Sequence, residues 1–276
     1  MSQADRLFIQ NCNDILRRGS SDSDGTVRAR WSDGAPATTV RLFGVVNRYD
    51  LSEEFPILTL RRVPLRKAVD ELLWIWQRKS NNVGDLHSHI WDAWADETGS
   101  IGKAYGYQLG VKSKYPEGEF DQVDRLLFDL AHNPNSRRMI TNLYVHQDLH
   151  AMRLYPCAYG VTVTVTAGRL NLLLNQRSQD MLVANGWNTV QYAILAHMLA
   201  RVSGFEMGEF VHVIADAHIY DRHVPLVKEL ISREPRPAPR LSVVEGVRDF
   251  YAFRPEHFSL EGYKPYPFER EIPVAV

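Results

Sequence analysis

The segment TVQYAILAHMLARVSG, Thr189 to Gly204, constrains the fold most: its apolar side chains run almost all the way round a helix and the run stops at a glycine. A helix without a polar face has no solvent side, so protein must cover every flank. A chain of 276 residues with 45% hydrophobic side chains can supply that cover, as one large domain or two small ones. A bilayer is the other apolar surrounding, but it asks for about 20 apolar residues. The most apolar stretch, Val190 to Val202, is shorter and carries Gln191, His197 and Arg201. The expectation is a long buried central helix and no membrane span.

Other segments arrange themselves around that helix. Phe8, Ile15 and Leu16 followed by Gly19 predict an amphipathic first helix, and Leu65, Val69, Leu72, Leu73 and Trp76 predict another, with Glu71 beside its apolar stripe. Phe120, Val123, Leu127 and Leu130 read as a third buried face ending before NPNSRR. After Cys157 the period becomes two: Val161, Val163 and Val165 alternate with threonines, AGR turns the chain, and Leu170, Leu172 and Leu174 return it as a hairpin. VRLFGVVNRYDL and EFVHVIADAHIY read as further strands, HVPLVKELISREPRP as a helix stopped by prolines, and YKPYPFEREIPVAV as irregular. The expected class is α+β: a single domain spanning 1–276, with a mixed, largely antiparallel sheet flanked by helices.

Composition narrows the function. Lys and Arg number 32 against 33 Asp and Glu, so any anion site must be local, and nucleic-acid binding is at most a secondary activity. Two cysteines cannot make a disulfide framework, and the N-terminal MSQADRLFIQNCNDILRRGS lacks the order of a signal peptide, which together predict a reducing cytoplasm.

Cys157, in RLYPCAYG, has two readings. A cysteine in a small loop is most often a buried hydrophobe; as a nucleophile it needs a nearby cation, because the thiolate is the reactive form. Arg177 would supply the cation if the hairpin folds it back, whereas Cys12 has no such context. Arg137-Arg138 is either a solvated helix end or a pair of guanidinium forks for phosphate. His146 and His150 have the spacing of a zinc-binding helix, but Gln147 stands where a zinc hydrolase needs its glutamate, so no metal is expected. His218, Tyr220 and His223 are likewise read as hydrogen-bonding groups. Trp91 and Trp94 form either a core helix face or a stacking platform. No P-loop or dinucleotide glycine motif occurs.

In combination, ELLWIWQ, IWDAWADE, GKAYGYQ, NSRRMI, LYPCAYG, NQRSQD, NTVQYA, DAHIY and the terminal PVAV resemble thymidylate synthases, in that family's order from about Phe43 to Val276. The resemblance implies reductive methylation of deoxyuridylate (dUMP), with methylenetetrahydrofolate as one-carbon and hydride donor and no metal. It makes Cys157 the nucleophile towards carbon six of uracil, Arg177 the arginine touching both nucleophile and phosphate, and Asn188 the reader of the uracil edge. It implies a homodimer in which Arg137 and Arg138 serve the neighbouring subunit's phosphate. Gln176, Ser178, Asp180, His218 and Tyr220 fall at nucleotide-binding positions, Asp180 also beside the folate. Glu71 and Tyr105 take the proton-handling positions. Ile90, Trp91, Trp94, Ala184 and Ala275 fall at folate-facing ones, and Pro273 to Val276 would close over the ligands. A reading of another class, binding nucleic acid such as its own messenger RNA, would use the dimer's basic phosphate sites.

Two departures stand out. Ala158 follows the nucleophile where the common motif has histidine, a version that resembles a divergent bacterial and phage branch. SDGTVRARWSDGAPATT replaces the usual phosphate loop, and within it Arg28 is favoured over Arg30 as the phosphate ligand because it follows the Asp24-Gly25 turn. VANGWN, with Ala184, also differs from the usual folate-side segment. A pyrimidine nucleotide hydroxymethylase remains the alternative, adding water in place of hydride; Asn188 argues against its cytosine form.

Overall fold

A computed structural model describes residues 2–25 and 27–275. The elements in chain order are α1 (Gln3–Arg18), β1 (Ser20–Ser21), β2 (Thr39–Asp50), α2 (Leu65–Trp76), α3 (Gly106–Gly110), β3 (Ser113–Tyr115), β4 (Gly118–Phe120), α4 (Gln122–His132) and β5 (Ile140–Asn142). They continue with β6 (Ala158–Thr166), β7 (Arg169–Gln176), β8 (Gln179–Asp180), α5 (Asn185–Ser203), β9 (Glu206–Tyr220), α6 (Val224–Ile231), β10 (Arg240–Val243) and β11 (Phe258–Glu261).

The all-apolar helix is α5, and the core closes round it. Val190, Ala193, Ile194, Leu195, Met198 and Leu199 are fully buried, and Gly204 ends the helix in the left-handed region at φ 76°. The main sheet runs β1-β2-β9-β7-β6-β5, with β8 beside β9. Its pairs are antiparallel except β7 with β9 and β8 with β9, because α5 is the crossover that returns the chain in the same direction. The β6–β7 turn places Ala167 and Gly168 at φ 51° and 75°, the positive pair that suits the right-handed twist of a hairpin.

The sequence expectations need local corrections. Phe120 closes the β3–β4 hairpin ahead of α4, whose cap is Asp121, and Leu126 rather than Leu127 is buried alongside Val123 and Leu130. Trp91 and Trp94 lie on no core helix face: Asp92–Trp94 is a single 3-10 turn in a loop. His146–Ala151 is also a 3-10 helix, where residues four apart do not share a face as they do in an α-helix. Among the described residues there is no group of three or more His, Cys, Asp and Glu placed to hold a metal, and no helix long and apolar enough to cross a membrane.

One face of the sheet is left uncovered. Phe43 is 87% exposed, with Val46 and Ile140 more than half exposed, on central and edge strands whose opposite face is core.

Candidate active site

Cys157 immediately precedes β6, and the antiparallel pairing of Ala158 with Gln176 carries the chain on to Arg177 beside it. Arg177 N donates to the Cys157 carbonyl at 2.9 Å. Its guanidinium then grips the 155–157 loop, Nε on the Pro156 carbonyl at 3.0 Å and Nη2 on the Tyr155 carbonyl at 2.8 Å, leaving Nη2 3.7 Å from Sγ. The hairpin thus delivers the cation that a reactive thiol needs. Burial nevertheless raises the Cys157 pKa above the ordinary thiol value, and Arg177, Tyr105 and Arg28 offset this only in part. Burial therefore tips the sulfur towards the neutral thiol. Cys12, by contrast, is fully buried on α1 with its thiol pushed far up by desolvation, the inert reading of a lone cysteine.

Tyr105 receives the Cys157 N–H on its hydroxyl at 3.1 Å. To reach there its backbone adopts φ 46°, ψ −107°, a strained conformation for a residue with a Cβ. The following Gly106 is required sterically, since a Cβ there would stand 2.3 Å from the Ser80 carbonyl oxygen.

A cavity of about 430 Å³ opens over the sulfur, walled by Glu71, Trp91, Trp94, Tyr105 and Asn188 and bounded by Ile272 and Val274 of the C-terminal segment. Glu71 is 5% exposed, and burial lifts its pKa to about 7, against hydrogen bonds from Trp91, Trp187 and Gln191 that favour the ionised form. The two indoles divide the carboxylate: Trp91 Nε1 donates to Oε1 at 2.9 Å and Trp187 Nε1 to Oε2 at 2.5 Å. A carboxyl poised near neutrality inside a cleft suits proton transfer at physiological pH. Trp187 is a site residue that sequence reasoning passed over; VANGWN was read for its difference from the usual pattern, not for the indole one residue before Asn188.

Across the cavity Asn188, in the first turn of α5, accepts at Oδ1 from Gln176 Nε2 at 3.1 Å and donates from Nδ2 to Gln191 Oε1 at 3.1 Å. Gln176 is 1% exposed.

The model of the thymidylate synthase family matches residues 6–276. The chain is 45% identical over 269 residues to the thymidylate synthase of Bacillus subtilis subsp. natto, and equally to that of Bacillus phage phi3T, covering 96% of both chains in each case. A solved structure, thermostable thymidylate synthase A from Bacillus subtilis, superposes with a TM-score of 0.94 at 43% identity, covering 99% of each chain. The chain belongs to the thymidylate synthase family. The bacterial and phage relatives agree with the branch expected from Pro156-Cys157-Ala158.

The remaining residues expected from thymidylate synthases are placed as follows. Asp180 binds the amides of Leu182 and Val183 through Oδ1 at 2.8 and 3.0 Å, and its Oδ2 lies 3.6 Å from His223 Nδ1. Its burial would raise the pKa, but His223 and the amide outweigh that and hold it below the ordinary carboxylate value. His223 Nε2 meets the Pro273 carbonyl at 2.8 Å, so one imidazole ties the C-terminal segment to Asp180. His218 bonds through Nδ1 to Asp216 at 2.9 Å and packs edge-on to Tyr220 at 5.2 Å, whose hydroxyl is pushed up to about 12, chiefly by burial. Ser178 offers its carbonyl to Gln176 Nε2 at 3.0 Å. Ile90 and Ala184 line the cavity with the tryptophans, whereas Ala275, half-buried, is not among its lining residues. The end of the C-terminal segment, Val276, lies outside the described residues.

The positive charge of Arg28 is felt at both Cys157 and Tyr220. Trp31, three residues on from Arg28, is buried at 3% exposure, anchored by Nε1 to Asp221 at 3.0 Å, and pins this divergent loop to the sheet. Arg137 and Arg138 are exposed and, among the described residues, pair with no carboxylate. A second depression, of about 500 Å³, on the outer face of α2 is bordered by Arg78–Asp70 and Arg66–Glu256 ion pairs and holds no nucleophile.

Proposed function

We propose that this site carries out thymidylate synthesis: Cys157 adds through sulfur to carbon six of deoxyuridylate, carbon five attacks the methylene of methylenetetrahydrofolate, and hydride transfer from the folate leaves dTMP and dihydrofolate. The observation that carries this reading is a thiol held 3.7 Å from Arg177 Nη2 in the same cavity as a carboxyl poised at about 7. As the S–C bond forms the thiol proton must leave, and the partial offset by Arg177 favours the thiolate. Elimination later expels that sulfur, for which a thiolate serves well. Glu71 moves protons on the uracil side, and Tyr105 lies near the proton leaving carbon five. Asn188 reads the uracil edge, Gln176 supports it from behind, Ser178 lies beside the pyrimidine, and His218 and Tyr220 face the sugar. Arg28, Arg177 and a partner's Arg137 and Arg138 hold the phosphate. Trp91, Trp94, Ile90, Ala184 and Asp180 form the folate side, with Ala275 in the segment that closes over it.

Residues 1–276 act as one catalytic domain, and the exposed Phe43, Val46 and Ile140 face supports a homodimer built sheet to sheet. Two free cysteines suit a cytoplasmic setting. Mixing the untagged protein with dUMP and methylenetetrahydrofolate and following absorbance tests the assignment: dihydrofolate formation establishes hydride transfer. Release of tetrahydrofolate without dihydrofolate would instead mark a hydroxymethylase.

A further inference from the structure

His212 takes no part in the chemistry above, yet it is fully buried in the middle of β9, behind the pyrimidine-reading asparagine. Its Nε2 meets Gln176 Oε1 at 2.8 Å, while Nδ1 has no partner. The roles of these atoms follow from one fixed group. The Ser178 carbonyl, 3.0 Å from Gln176, can only accept, so the Gln176 atom facing it is the amide nitrogen and the atom facing His212 is the oxygen. An oxygen there requires a donor, so the imidazole proton resides on Nε2. Burial keeps the ring neutral, holding its pKa down to about 3, so only one nitrogen carries a proton.

The second hydrogen of Gln176 Nε2 is spent on Asn188 Oδ1 at 3.1 Å, which settles the orientation of the Asn188 amide from one side. Gln191 settles it from the other: its Nε2 lies 3.3 Å from the Ala68 carbonyl, so Oε1 faces Asn188 Nδ2. Gln179 Nε2 makes only a long contact to the same Oδ1, at 3.4 Å, so what Asn188 presents to the cavity is a weakly engaged acceptor beside one free hydrogen. That pair complements the N3–H donor and O4 acceptor of uracil. Cytosine presents an acceptor at N3 and a donor at N4, and would need the amide turned over. Turning it would set nitrogen against Gln176 Nε2 and oxygen against Gln191 Oε1.

We propose that His212 is a positioning residue for base selection: by donating from Nε2 to Gln176 it locks the Asn188 amide in the orientation that accepts uracil and rejects cytosine. This rests on the reading of Asn188 given above. With His212 replaced by phenylalanine, Gln176 Oε1 loses its donor inside the core, and the glutamine can leave its post against Asn188.

The test compares kcat/KM for dUMP with the inhibition constant of dCMP in the wild-type enzyme, H212F and H212Q. A wild-type enzyme with no preference for dUMP would refute the reading of Asn188 itself. Given that preference, H212F is expected to narrow the gap between the nucleotides by roughly tenfold, the worth of one hydrogen bond. H212Q, which keeps an N–H donor, is expected to restore most of it. An unchanged dUMP-to-dCMP ratio in H212F overturns the proposal, since a purely structural defect would weaken both nucleotides alike. Nitrogen-15 NMR of the wild-type imidazole gives a check independent of variant folding: a proton on Nε2 supports the assignment, and one on Nδ1 overturns it.

Discussion

Replacing Trp187 by phenylalanine should move the pH dependence of turnover upward. Trp187 Nε1 is one of two indole donors to Glu71, on Oε2 at 2.5 Å, and both act on the ionised form. Phenylalanine keeps a ring against the cavity and deletes the donor. Burial already holds the Glu71 pKa at about 7, so losing a bond that favours the carboxylate raises it further. A hydrogen bond to a charged group is worth about 1.5–3 kcal/mol, and a shared carboxylate relaxes to recover part of that. At about 1.4 kcal/mol per pKa unit, the expected rise is roughly one unit. The sign does not depend on which protonation state of Glu71 is active. If the carboxylate is needed, the acidic limb of the kcat profile moves to higher pH; if the carboxylic acid is needed, the basic limb does. Stopped-flow or steady-state dihydrofolate formation between pH 5 and 9 reads it, with saturating folate to remove any effect of the altered pocket on KM. A limb that stays put, or moves to lower pH, would refute the assignment of Trp187 as a donor to the titrating carboxylate.

The other expectations are more compact. C157S should abolish turnover by at least several orders of magnitude while dUMP binding, followed by calorimetry, survives. R177K removes two of the three grips on the nucleophile loop and weakens the offset to the raised thiol pKa, so alkylation of Cys157 by iodoacetamide at pH 8 should slow; a faster reaction would contradict the arginine's electrostatic role. The double variant R137A/R138A and C157S should each be inactive, yet mixing subunits should restore about a quarter of wild-type activity if the arginines serve the neighbouring site of a closed two-fold dimer. No recovery on mixing would place those arginines in their own subunit's site. F43D should shift sedimentation towards monomer and cost most of the activity, since it puts a charge on the uncovered sheet face.

Much of this architecture is legible in the sequence because it is local. α5 announces itself by lacking a polar face, the β6–β7 hairpin by alternation about Ala167-Gly168, and α2 by its stripe. Arg177 was expected beside Cys157 because a hairpin's register is an arithmetic consequence of its turn. What the sequence could not yield depends on distance along the chain. The parallel pairing of β7 with β9 joins strands on either side of a helix, and no periodicity encodes a partner so remote. Whether Trp91 and Trp94 formed a helix face or a platform was undecided until the loop was seen to wind through one 3-10 turn. Trp187 and His212 were missed for a related reason: a tryptophan beside Asn188 or a histidine within an apolar strand has meaning only through what lies opposite, Glu71 across 116 residues and Gln176 across 36. The net protonation of Cys157 was invisible too. Sequence offered the cation, but the depth of burial that outweighs it is a property of the packed molecule.

The burial of the Cys157 sulfur has a consequence for survival as well as for reactivity. Peroxide oxidises thiolates, giving up its outer oxygen to the sulfur and leaving as water, and the first product, a sulfenic acid, is recovered by condensation with another thiol. Here the only other cysteine, Cys12, is sealed in α1 and cannot rescue it. A sulfur with no second protein thiol beside it gains from being kept as the neutral, less reactive thiol. The same burial that raises the Cys157 pKa therefore slows its chance oxidation.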